Sequence, residues 1–573
     1  MQSRYSIEKI LDVLLPFAIT LIVFAAVSLY GLDTHHDGTV LKPALDVWYG
    51  QTLYKDSFSQ YGPLVSWIQS VGIRLLGPHL FAIRWTTVFF YGLISVLLMQ
   101  IWRLFLDRRW SWVSFLVWLN LAPFFAPVTV FHAWSSVFAL FFQLSATLSI
   151  CFLFFSARRQ WIWGFLAGVV TALAFWCRQP VGVLTIGAFI VVLFFYALSP
   201  VETKEKRYFS RFVPLLSFVF GLVIGLGIVA LHLYSADSLS AWYRQNIQWP
   251  IWWAKSSGGN NLHGLIFTMI RRRNETIALA LILLLARPVF SFIRLKNLNR
   301  LFYVLAVIFA AVLFFRFPKS LYQTGLFTLI PITAILIPLL TLLLNRGVSV
   351  AQLERPRNWS LFSVAAVILA SWPQFYPVPD SRHLYWAIAL GIGFFIFLLQ
   401  HWLHDDRRLV KIFIFVWFVS IALTQWTDLY KKVSRQSHKL DHPLLEKILV
   451  EEEQAKMLNP LLKRVSFVQG QLQERPIIVE GPDSFYAALT LRLDNANWFH
   501  CVWKHSGLGG TQFTENGRSF IHKFKPLILS RRTDMRPEDF PKDLKERYIK
   551  DISVIDPFWR DELTLWVPRN DWQ

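Results

Sequence analysis

Long apolar runs alternate with short polar segments from near Ile10 to position 427. About twenty apolar residues are needed to cross the roughly 30 Å hydrocarbon core of a bilayer. Thirteen runs approach that length, and we predict a transmembrane helix in each of them. The predicted bounds are 10–30, 84–106, 111–129, 134–156, 161–177, 180–199, 212–234, 275–293, 300–316, 321–344, 359–373, 384–403 and 409–427. The pattern therefore predicts a polytopic membrane protein of mainly α fold.

The polar segments that follow the even-numbered helices are all basic. They are DRR at 107–109, ARR at 157–159, ETKEKR at 202–207, RLKNLNR at 294–300, NR and ERPR within 345–357, and DDRR at 405–408. Short cytoplasmic loops are enriched in Lys and Arg, so we place these segments and the N-terminus in the cytoplasm. The odd-numbered exits then face outward. They comprise a first outer loop over 31–83, a second over 235–274 and the C-terminal tail.

The tail differs in pattern from the rest of the chain. A charged, helix-like stretch extends to about position 475, and apolar runs in RPIIVE and KPLILS are then typical of buried strands bounded by turns. We therefore divide the chain into a transmembrane domain over 1–427 and a small extracytoplasmic α/β domain over 428–573.

The two long outer loops carry apolar residues as well. In the first, Val40, Leu41, Ala44, Leu45 and Trp48 share one helical face, and Pro63 opens a second apolar helix; both suit helices on a membrane surface. The second is rich in Trp, which indicates either an aromatic belt at the membrane interface or a mobile loop over an acceptor, hinged at Gly258 and Gly259.

The composition supports the assignment to the class of membrane proteins and changes how the net positive charge is interpreted. Hydrophobic residues make up 55% of the 573 residues and charged residues only 16%, below the roughly 25% typical of soluble domains. The net charge of +21 would suggest nucleic acid in a soluble protein. Here many basic residues lie in short loops between apolar segments, so we predict a membrane bilayer as partner and no nucleic acid.

Four acids lie in the first outer loop: Asp33, Asp37, Asp46 and Asp56. A carboxylate within hydrogen-bond reach of a hydroxyl can take its proton as a general base. Asp37 is flanked by His36 and Gly38, and we predict that Asp37 is the base and that His36 tunes or orients it. We expect Asp33 and Asp46 to be solvated or to cap helices. The histidines could instead bind a divalent metal ion with Asp37, but no residue is assigned as a metal ligand.

Basic residues also occur at four outer junctions, where the positive-inside rule predicts few. They are Arg178, Arg271, Arg272, Arg316, Lys319 and Arg382, with His383 beside the last. Interfacial snorkelling explains any one of them. Their recurrence favours a shared oxygen-rich anion, such as the phosphate of a lipid, because charge-assisted hydrogen bonds are about twice as strong as neutral ones.

Four motifs resemble the GT-C superfamily of membrane glycosyltransferases, especially bacterial family 39, which contains protein O-mannosyltransferases and aminoarabinose transferases. They are HHDG at 35–38, GQTLYKDSFSQYGPL at 50–64, RQPVG at 178–182 and PVPDSRHL at 377–384. Related sequences often have Asp-Glu-Gly where this chain has His-Asp-Gly. Because His36 stands where one of the two acids would be expected, the resemblance does not carry a metal requirement over to this chain. The resemblance covers the membrane part, about three-quarters of the chain.

The resemblance implies an inverting transfer of a sugar from a polyprenyl-phosphate donor to a hydroxyl of a glycan, lipid or protein. It implies Asp37 as the base, the outer cations as phosphate ligands, and Asp56, Gln60 and Tyr61 as first-loop substrate contacts. It also implies that the protein lies in a bacterial inner membrane with its active site at the extracytoplasmic face. A lipid or polysaccharide transporter and a non-catalytic envelope assembly factor are the alternatives. Transporters often contain internal repeats, and the sequence shows none.

Overall fold

A computed structural model describes residues 2–34, 36–126, 129–156, 158–199, 211–251, 356–371, 381–402, 407–471, 477–480, 501–502, 522–523, 525–531, 546–556 and 561–570. These residues are mainly helical. The described helices are α1 (Gln2–Ser28), α2 (His36–Trp48), α3 (Pro63–Leu76), α4 (Leu80–Trp102), α5 (Arg108–Asn120), α6 (Ser135–Phe155), α7 (Gln160–Cys177), α8 (Gln179–Leu198), α9 (Val213–Ser235), α10 (Leu239–Tyr243), α11 (Pro356–Ser371), α12 (Ser381–Trp402), α13 (Arg407–Arg435) and α14 (Glu452–Gln471).

Six of the described helices are long and apolar enough to cross a membrane: α1 from Ile7, α4, α6, α7, α8 and α9. Each coincides with a predicted span to within a few residues. Helices α11, α12 and α13 fall on three more predicted spans. The predicted spans 275–293, 300–316 and 321–344, and the hinge at Gly258 and Gly259, lie outside the described residues.

Helix α5 is shorter than the sequence pattern predicts. It ends at Asn120 after 13 residues, whereas the apolar run extends to 129. Pro123 opens a short 3₁₀ turn there, since proline cannot donate a backbone hydrogen bond and disfavours helix at the residue before it. At a rise of 1.5 Å per residue, α5 spans only about 20 Å. Described residues 129–134 then continue without regular structure to α6.

Helices α7 and α9 pack closely through small residues. Gly164 and Gly168 on α7, and Gly221 and Gly225 on α9, each form a Gly-x-x-x-Gly pair. A Cβ at Gly168 would collide with the Phe218 carbonyl oxygen, and one at Gly221 with the Phe165 carbonyl oxygen. Helices surrounded by lipid gain no hydrophobic stabilisation from contact with each other. Close packing of their backbones at small residues therefore stabilises such a pair.

The two predicted first-loop helices are present as α2 and α3, but the apolar face of α2 is covered by protein. Val40, Leu41, Ala44 and Leu45 are at most 3% exposed. They belong to a core cluster that also contains Leu458, Leu461 and other residues of α14 and the C-terminal strands. The pattern identified the helix correctly, but its apolar face packs against protein, chiefly against α3 and to a smaller extent against α4.

The C-terminal part contains two sheets. Strands β1 (Gln436–Lys439) and β2 (Leu449–Glu451) form an antiparallel pair. Five further strands form a mixed sheet in the order β4-β3-β5-β7-β6. Their bounds are β3 (Ile477–Glu480), β4 (Cys501–Val502), β5 (Leu527–Arg531), β6 (Tyr548–Asp556) and β7 (Asp561–Pro568). The predicted strands in RPIIVE and KPLILS are thus present as β3 and β5, which pair in parallel.

Candidate functional site

A buried ion pair lies at the start of α2. Asp37 Oδ2 accepts a hydrogen bond from Arg84 Nη2 at 2.7 Å, and both side chains are fully buried. Arg84, in the first turns of α4, also donates to the carbonyl oxygens of Ser28 and Gly31, each at 2.9 Å. The guanidinium therefore fixes both the end of α1 and the carboxylate that follows it. Breaking such a pair is expensive because the remaining charge stays buried.

Asp33 caps α2 and joins the same cluster. Its Oδ1 accepts the backbone N–H of His36 at 3.0 Å, and its own N–H donates to Asp37 Oδ2 at 3.0 Å. This reciprocal arrangement resembles a capping box. The other oxygen, Asp33 Oδ2, lies 2.7 Å from His36 Nδ1. His36, predicted to orient Asp37, is thus hydrogen-bonded to Asp33.

His132 completes the cluster from the segment between α5 and α6. Its Nδ1 lies 3.6 Å from Asp37 Oδ1, and its Nε2 lies 3.5 Å from Asp33 Oδ2. Asp37 Oδ1 and His132 Nδ1 are buried and have no hydrogen-bond partner within the described part of the chain. Gly31, at φ +81°, permits the segment before α2 to lie close to the segment before α6, since a Cβ at this position would lie 2.8 Å from Val130 Cγ2.

The charge states of this cluster follow from its contacts. Burial raises the pKa of Asp37, but the charge of Arg84 and then the contact with His132 outweigh it, so the pKa is lowered. Burial likewise opposes ionisation of Asp33, yet its hydrogen bond with His36 and the nearby histidines lower its pKa overall. For His132, burial lowers the pKa more than the two carboxylates raise it. At neutral pH the cluster holds two carboxylates and a neutral His132.

Trp134 connects this cluster to the predicted cations. Its ring centroid lies 4.9 Å from that of His36 and 5.8 Å from that of Tyr61. On the α12 side, His383 lies 5.9 Å away, and the Arg382 guanidinium lies 5.9 Å from the indole centroid. A cation within about 6 Å of an indole face is attracted by it. Trp134 Nε1 is buried and has no hydrogen-bond partner among the described residues.

The Tyr-Gly-Pro motif places Tyr61 beside Arg178. A Cβ at Gly62 would collide with the Trp176 carbonyl oxygen, so only glycine permits this approach to the end of α7. The Gly62 N–H donates to the Cys177 carbonyl at 3.3 Å, directly before Arg178. Arg178 in turn donates to Ser136 Oγ at the start of α6. Burial raises the pKa of Tyr61, and the charges of Arg178 and Arg382 offset part of this effect.

Two amide side chains of the second loop hold the first loop. A π-helical turn over Arg244–Gln248 presents Gln245 and Asn246. Gln245 Nε2 donates to the Tyr54 carbonyl at 3.1 Å, and Asn246 Nδ2 donates to the Ser59 carbonyl at 3.0 Å. Tyr54 has φ +69°, a strained value for a non-glycine residue. Such π-helical turns are frequent at functional sites.

Of the predicted site residues, the structure brings together Asp37, His36, Tyr61, Arg382 and His383 around His132 and Trp134. Arg178 stands beside Tyr61. Gln60 is half-buried beside Tyr61. Asp56 makes a local turn, with its Oδ2 accepting the Thr52 N–H at 2.9 Å. The remaining candidates lie outside the described residues: Arg271, Arg272, Arg316 and Lys319.

The expectation for Asp46 was wrong. Asp46 is 2% exposed and is bonded to Lys42 and Ser57, so it is neither solvated nor a helix cap. Asp33 does cap a helix, but it is also part of the cluster. Sequence reasoning missed Arg84, His132 and Trp134. Arg84 had a usable signal, since a charged residue at the start of an apolar span is rare and is commonly paired.

Comparison with known proteins agrees with the motifs. Residues 60–230 match the sequence model of the family described as dolichyl-phosphate-mannose-protein mannosyltransferase. The matched segment includes Tyr61, Arg84, His132, Trp134 and Arg178, whereas Asp33 and Asp37 precede it. No curated protein sequence matches the chain significantly.

Several solved structures are similar at low identity. ArnT from Cupriavidus metallidurans, bound to undecaprenyl phosphate, is 12% identical over 96% of this chain and 97% of its own, with a TM-score of 0.45. The oligosaccharyltransferase AglB from Archaeoglobus fulgidus, with an inhibitory peptide and a dolichol-phosphate, is 12% identical over 97% of this chain and 76% of its own, with a TM-score of 0.45. An Archaeoglobus fulgidus oligosaccharyltransferase with Zn and sulfate is 13% identical over 89% and 68%, again at 0.45.

The family match falls on the segment that supplies Arg84, His132 and Arg178, within a chain of several apolar helices. The resemblance to protein O-mannosyltransferases that the motifs indicate is therefore confirmed over residues 60–230.

Proposed function

We propose that the protein transfers a sugar from a polyprenyl-phosphate donor to a hydroxyl acceptor at the extracytoplasmic membrane face. The observation that carries the proposal is the partly buried cluster of Asp33, Asp37, His36 and His132, which Trp134 joins to Arg382 and, through Tyr61, to Arg178. A carboxylate pair next to fixed cations suits a reaction in which a hydroxyl loses a proton while a phosphate gains charge. The family matched by residues 60–230 is named for a dolichyl-phosphate-linked sugar.

The proposed reaction is a single displacement that inverts the anomeric centre. The acceptor oxygen bonds to the anomeric carbon as the bond from that carbon to the lipid phosphate oxygen breaks. The acceptor proton passes to a carboxylate, and polyprenyl phosphate leaves with the bonding electrons. Arg178, Arg382 and His383 supply donors to the phosphate, where negative charge grows in the transition state. Arg271, Arg272, Arg316 and Lys319 are further candidates for this role.

Asp37 is the proposed base, acting through Oδ1. Arg84 and the Asp33 N–H hold Oδ2, so Oδ1 is the carboxylate oxygen left to accept a proton. Asp33 is the second candidate, because its side chain is 26% exposed while that of Asp37 is fully buried. If Asp33 is the base, Asp37 and Arg84 act as the support that fixes it.

A divalent cation fits the same cluster. One ligand atom each from Asp33, His36 and His132 lie within 4.8 Å of one another. Two imidazoles and a carboxylate are a donor set used for several divalent metals, and the lowered pKa of His132 keeps its ring neutral, as metal binding requires. When bound, such an ion would supply electrostatic stabilisation of phosphate oxygens. Mn²⁺ binding to the purified protein, compared with His132→Gln, tests this directly.

The central test uses protein reconstituted in liposomes with a panel of polyprenyl-phosphate sugars, with mass spectrometry of lipids and added acceptors as the readout. Asp37→Asn should lower transfer by about 10²–10⁴-fold, the range for loss of a general base, while donor-lipid binding is retained. The same measurement on Asp33→Asn resolves which carboxylate accepts the proton. In the variant that lacks the base, the rate of sugar transfer no longer rises with pH as a carboxylate ionises. Asp237→Asn is the control, because that side chain is 87% exposed.

Normal transfer by both Asp37→Asn and Asp33→Asn would overturn the proposed function. Lipid or polysaccharide movement without sugar transfer, unchanged in both variants, would instead indicate a transporter. Retention of anomeric configuration in the product would exclude the single displacement.

A further inference from the structure

The C-terminal part of the chain contacts both segments that build the cluster. The contacts come from three residues that we call the clamp: Lys432 at the end of α13, Leu449 in β2 and Gln454 in α14. The two segments are 28–37, which supplies Asp33, His36 and Asp37, and 121–134, which supplies His132 and Trp134.

Leu449 and Gln454 hold the first segment through its backbone. The Leu449 N–H donates to the Leu29 carbonyl at 2.8 Å, and the Gly31 N–H donates to the Leu449 carbonyl at 2.8 Å. These two bonds add residues 29–31 to β2 as a short parallel bridge. Gln454 Nε2 then donates to the Leu32 carbonyl at 3.0 Å, one residue before Asp33.

Arg84 holds the same segment from the opposite side, through the carbonyls of Ser28 and Gly31. The carbonyls of Ser28, Leu29, Gly31 and Leu32 are therefore each bonded, alternately to α4 and to the clamp. A backbone fixed on two sides leaves little freedom for the carboxylate that follows it.

Lys432 holds the second segment. Its Nζ donates to the Phe124 carbonyl at 2.8 Å and to the Thr129 carbonyl at 2.7 Å, and the residue is fully buried. Burial, and then the charge of Arg84, lower the pKa of Lys432 to about 7. Burying an amine at this position is unfavourable unless its bonds are needed, and here they span the break that Pro123 introduces after α5.

We propose that Lys432, Leu449 and Gln454 are positioning residues that set the distances between Asp33, Asp37 and His132. The clamp gives the C-terminal part of the chain a role in the reaction without contact to the reacting atoms. This inference rests on the proposed function for its catalytic consequence, but its structural consequence is independent of it.

Hydrogen exchange on the full chain tests the structural consequence. Gln454→Glu keeps the side-chain shape but has no donor at neutral pH, and peptides covering 29–38 should exchange about fivefold faster, as for the loss of one ordinary hydrogen bond. Lys432→Met should raise exchange in peptides covering 121–134 by at least about tenfold, because two hydrogen bonds are lost together. Glu453→Gln, an exposed neighbour of Gln454, is the control.

The catalytic consequence is tested in the liposome assay. Gln454→Glu should lower kcat about tenfold with the donor KM unchanged, since small misplacements of a reacting group lower rates strongly. In an Asp37→Asn background, which removes the proposed base, the same change should have almost no further effect, because residues that act through one another are not additive. Additive effects would indicate a general loss of folding.

The outcomes separate the two proposals. Unchanged exchange in Gln454→Glu and Lys432→Met overturns the clamp, whatever the transfer assay shows. Faster exchange with unchanged kcat also overturns the positioning role but leaves the proposed function standing. If the unaltered protein transfers no sugar, the proposed function fails, and exchange alone decides whether the clamp holds the cluster.

Discussion

The α7–α9 helix pair and the acid–histidine cluster are both tightly packed, but they achieve it by opposite means. The helix pair uses glycines and backbone contact, with Gly168 against Phe218 and Gly221 against Phe165. The cluster buries an ion pair and the His132 imidazole next to a second, partly exposed carboxylate, with Asp37 and Arg84 fully covered. Close contact of small residues is stabilising in itself, whereas buried charges are tolerated only when each has its partner.

This difference in packing separates a structural contact from a candidate site for chemistry. A site for chemistry needs charges at fixed distances, and these charges depend on one another for stability. The helix pair needs no such mutual dependence, so its residues should respond to substitution by size, and those of the cluster by charge. Each prediction below tests this distinction.

The largest effect is expected at Arg84. Arg84→Met leaves Asp37 buried without its cation, which costs about 3–5 kcal/mol in comparable buried pairs. The thermal unfolding temperature in detergent should fall sharply, with loss of sugar transfer. The double variant Arg84→Met with Asp37→Leu should recover much of the stability but none of the transfer. Equal destabilisation by the single and double variants would contradict mutual dependence.

The next effect is expected at Gly168. Gly168→Leu forces α7 away from α9 and should destabilise the protein by about 1–3 kcal/mol or more, as overpacking does. Gly187→Leu on α8 is the matched control, since a Cβ there meets nothing within 4 Å. Thermal unfolding of both variants in the same detergent measures the difference. Similar unfolding temperatures for the two would show that α7 and α9 are not held by close contact.

A smaller effect should appear as pH falls. The pKa of His132 is lowered in the folded protein, while an unfolded histidine titrates near 6.5. Between pH 7 and 5 the unfolded chain therefore gains a proton that the folded chain does not, and stability falls. The lowered pKa values of Asp33 and Asp37 act in the same direction, but only near and below pH 4. Their contribution falls outside the range from pH 7 to 5.

The unfolding temperature measured from pH 7.5 to 5 checks this. His132→Gln should reduce the slope without abolishing it, because burial also lowers the pKa of His79 and His442. His438→Gln, at an exposed position, should leave the slope unchanged. An unaltered slope in His132→Gln would mean that the imidazole takes up a proton in the folded state.

The smallest effect is expected at an ion pair in water. Lys55 Nζ lies 3.3 Å from Asp237 Oδ2, with side chains 48% and 87% exposed. Exposed pairs contribute about 0–1 kcal/mol, so Lys55→Gln should shift the unfolding temperature very little. This pair joins the first and second loops just as Gln245 and Asn246 do. A large shift in the unfolding temperature would show that burial does not explain why the Asp37–Arg84 pair stabilises the protein more than this exposed pair does.

Much of the helical frame could be predicted from the sequence, because membrane spans depend on local apolar length. Helix α2 was predicted from its apolar face, and β3 and β5 from short apolar runs. The end of α5 was missed because the apolar run continues past Pro123, and the proline decides the boundary. The apolar face of α2 was assigned to the membrane surface because an amphipathic pattern does not distinguish lipid from a protein partner, which here is mainly α3.

The site was predicted only in part for the same physical reason. Asp37, His36, Tyr61 and Arg382 stand in motifs or at unusual loop positions, so local reasoning found them. His132 and Trp134 lie in an ordinary apolar stretch, and nothing local distinguishes them. Their importance arises only when the fold brings residues 33–37, 84 and 132 together.

The bridge between Gly31 and Leu449 also has a consequence for biosynthesis. Its two strands are 418 positions apart in the chain. At a synthesis rate of about 5–20 residues per second, Gly31 precedes Leu449 by roughly 20–80 s. During that interval the residues around Asp33 have Arg84 as support but lack their C-terminal strand. The cluster is therefore completed only after Leu449 has been synthesised, so a chain truncated before Leu449 is expected to insert in the membrane without a fully assembled acid–histidine cluster.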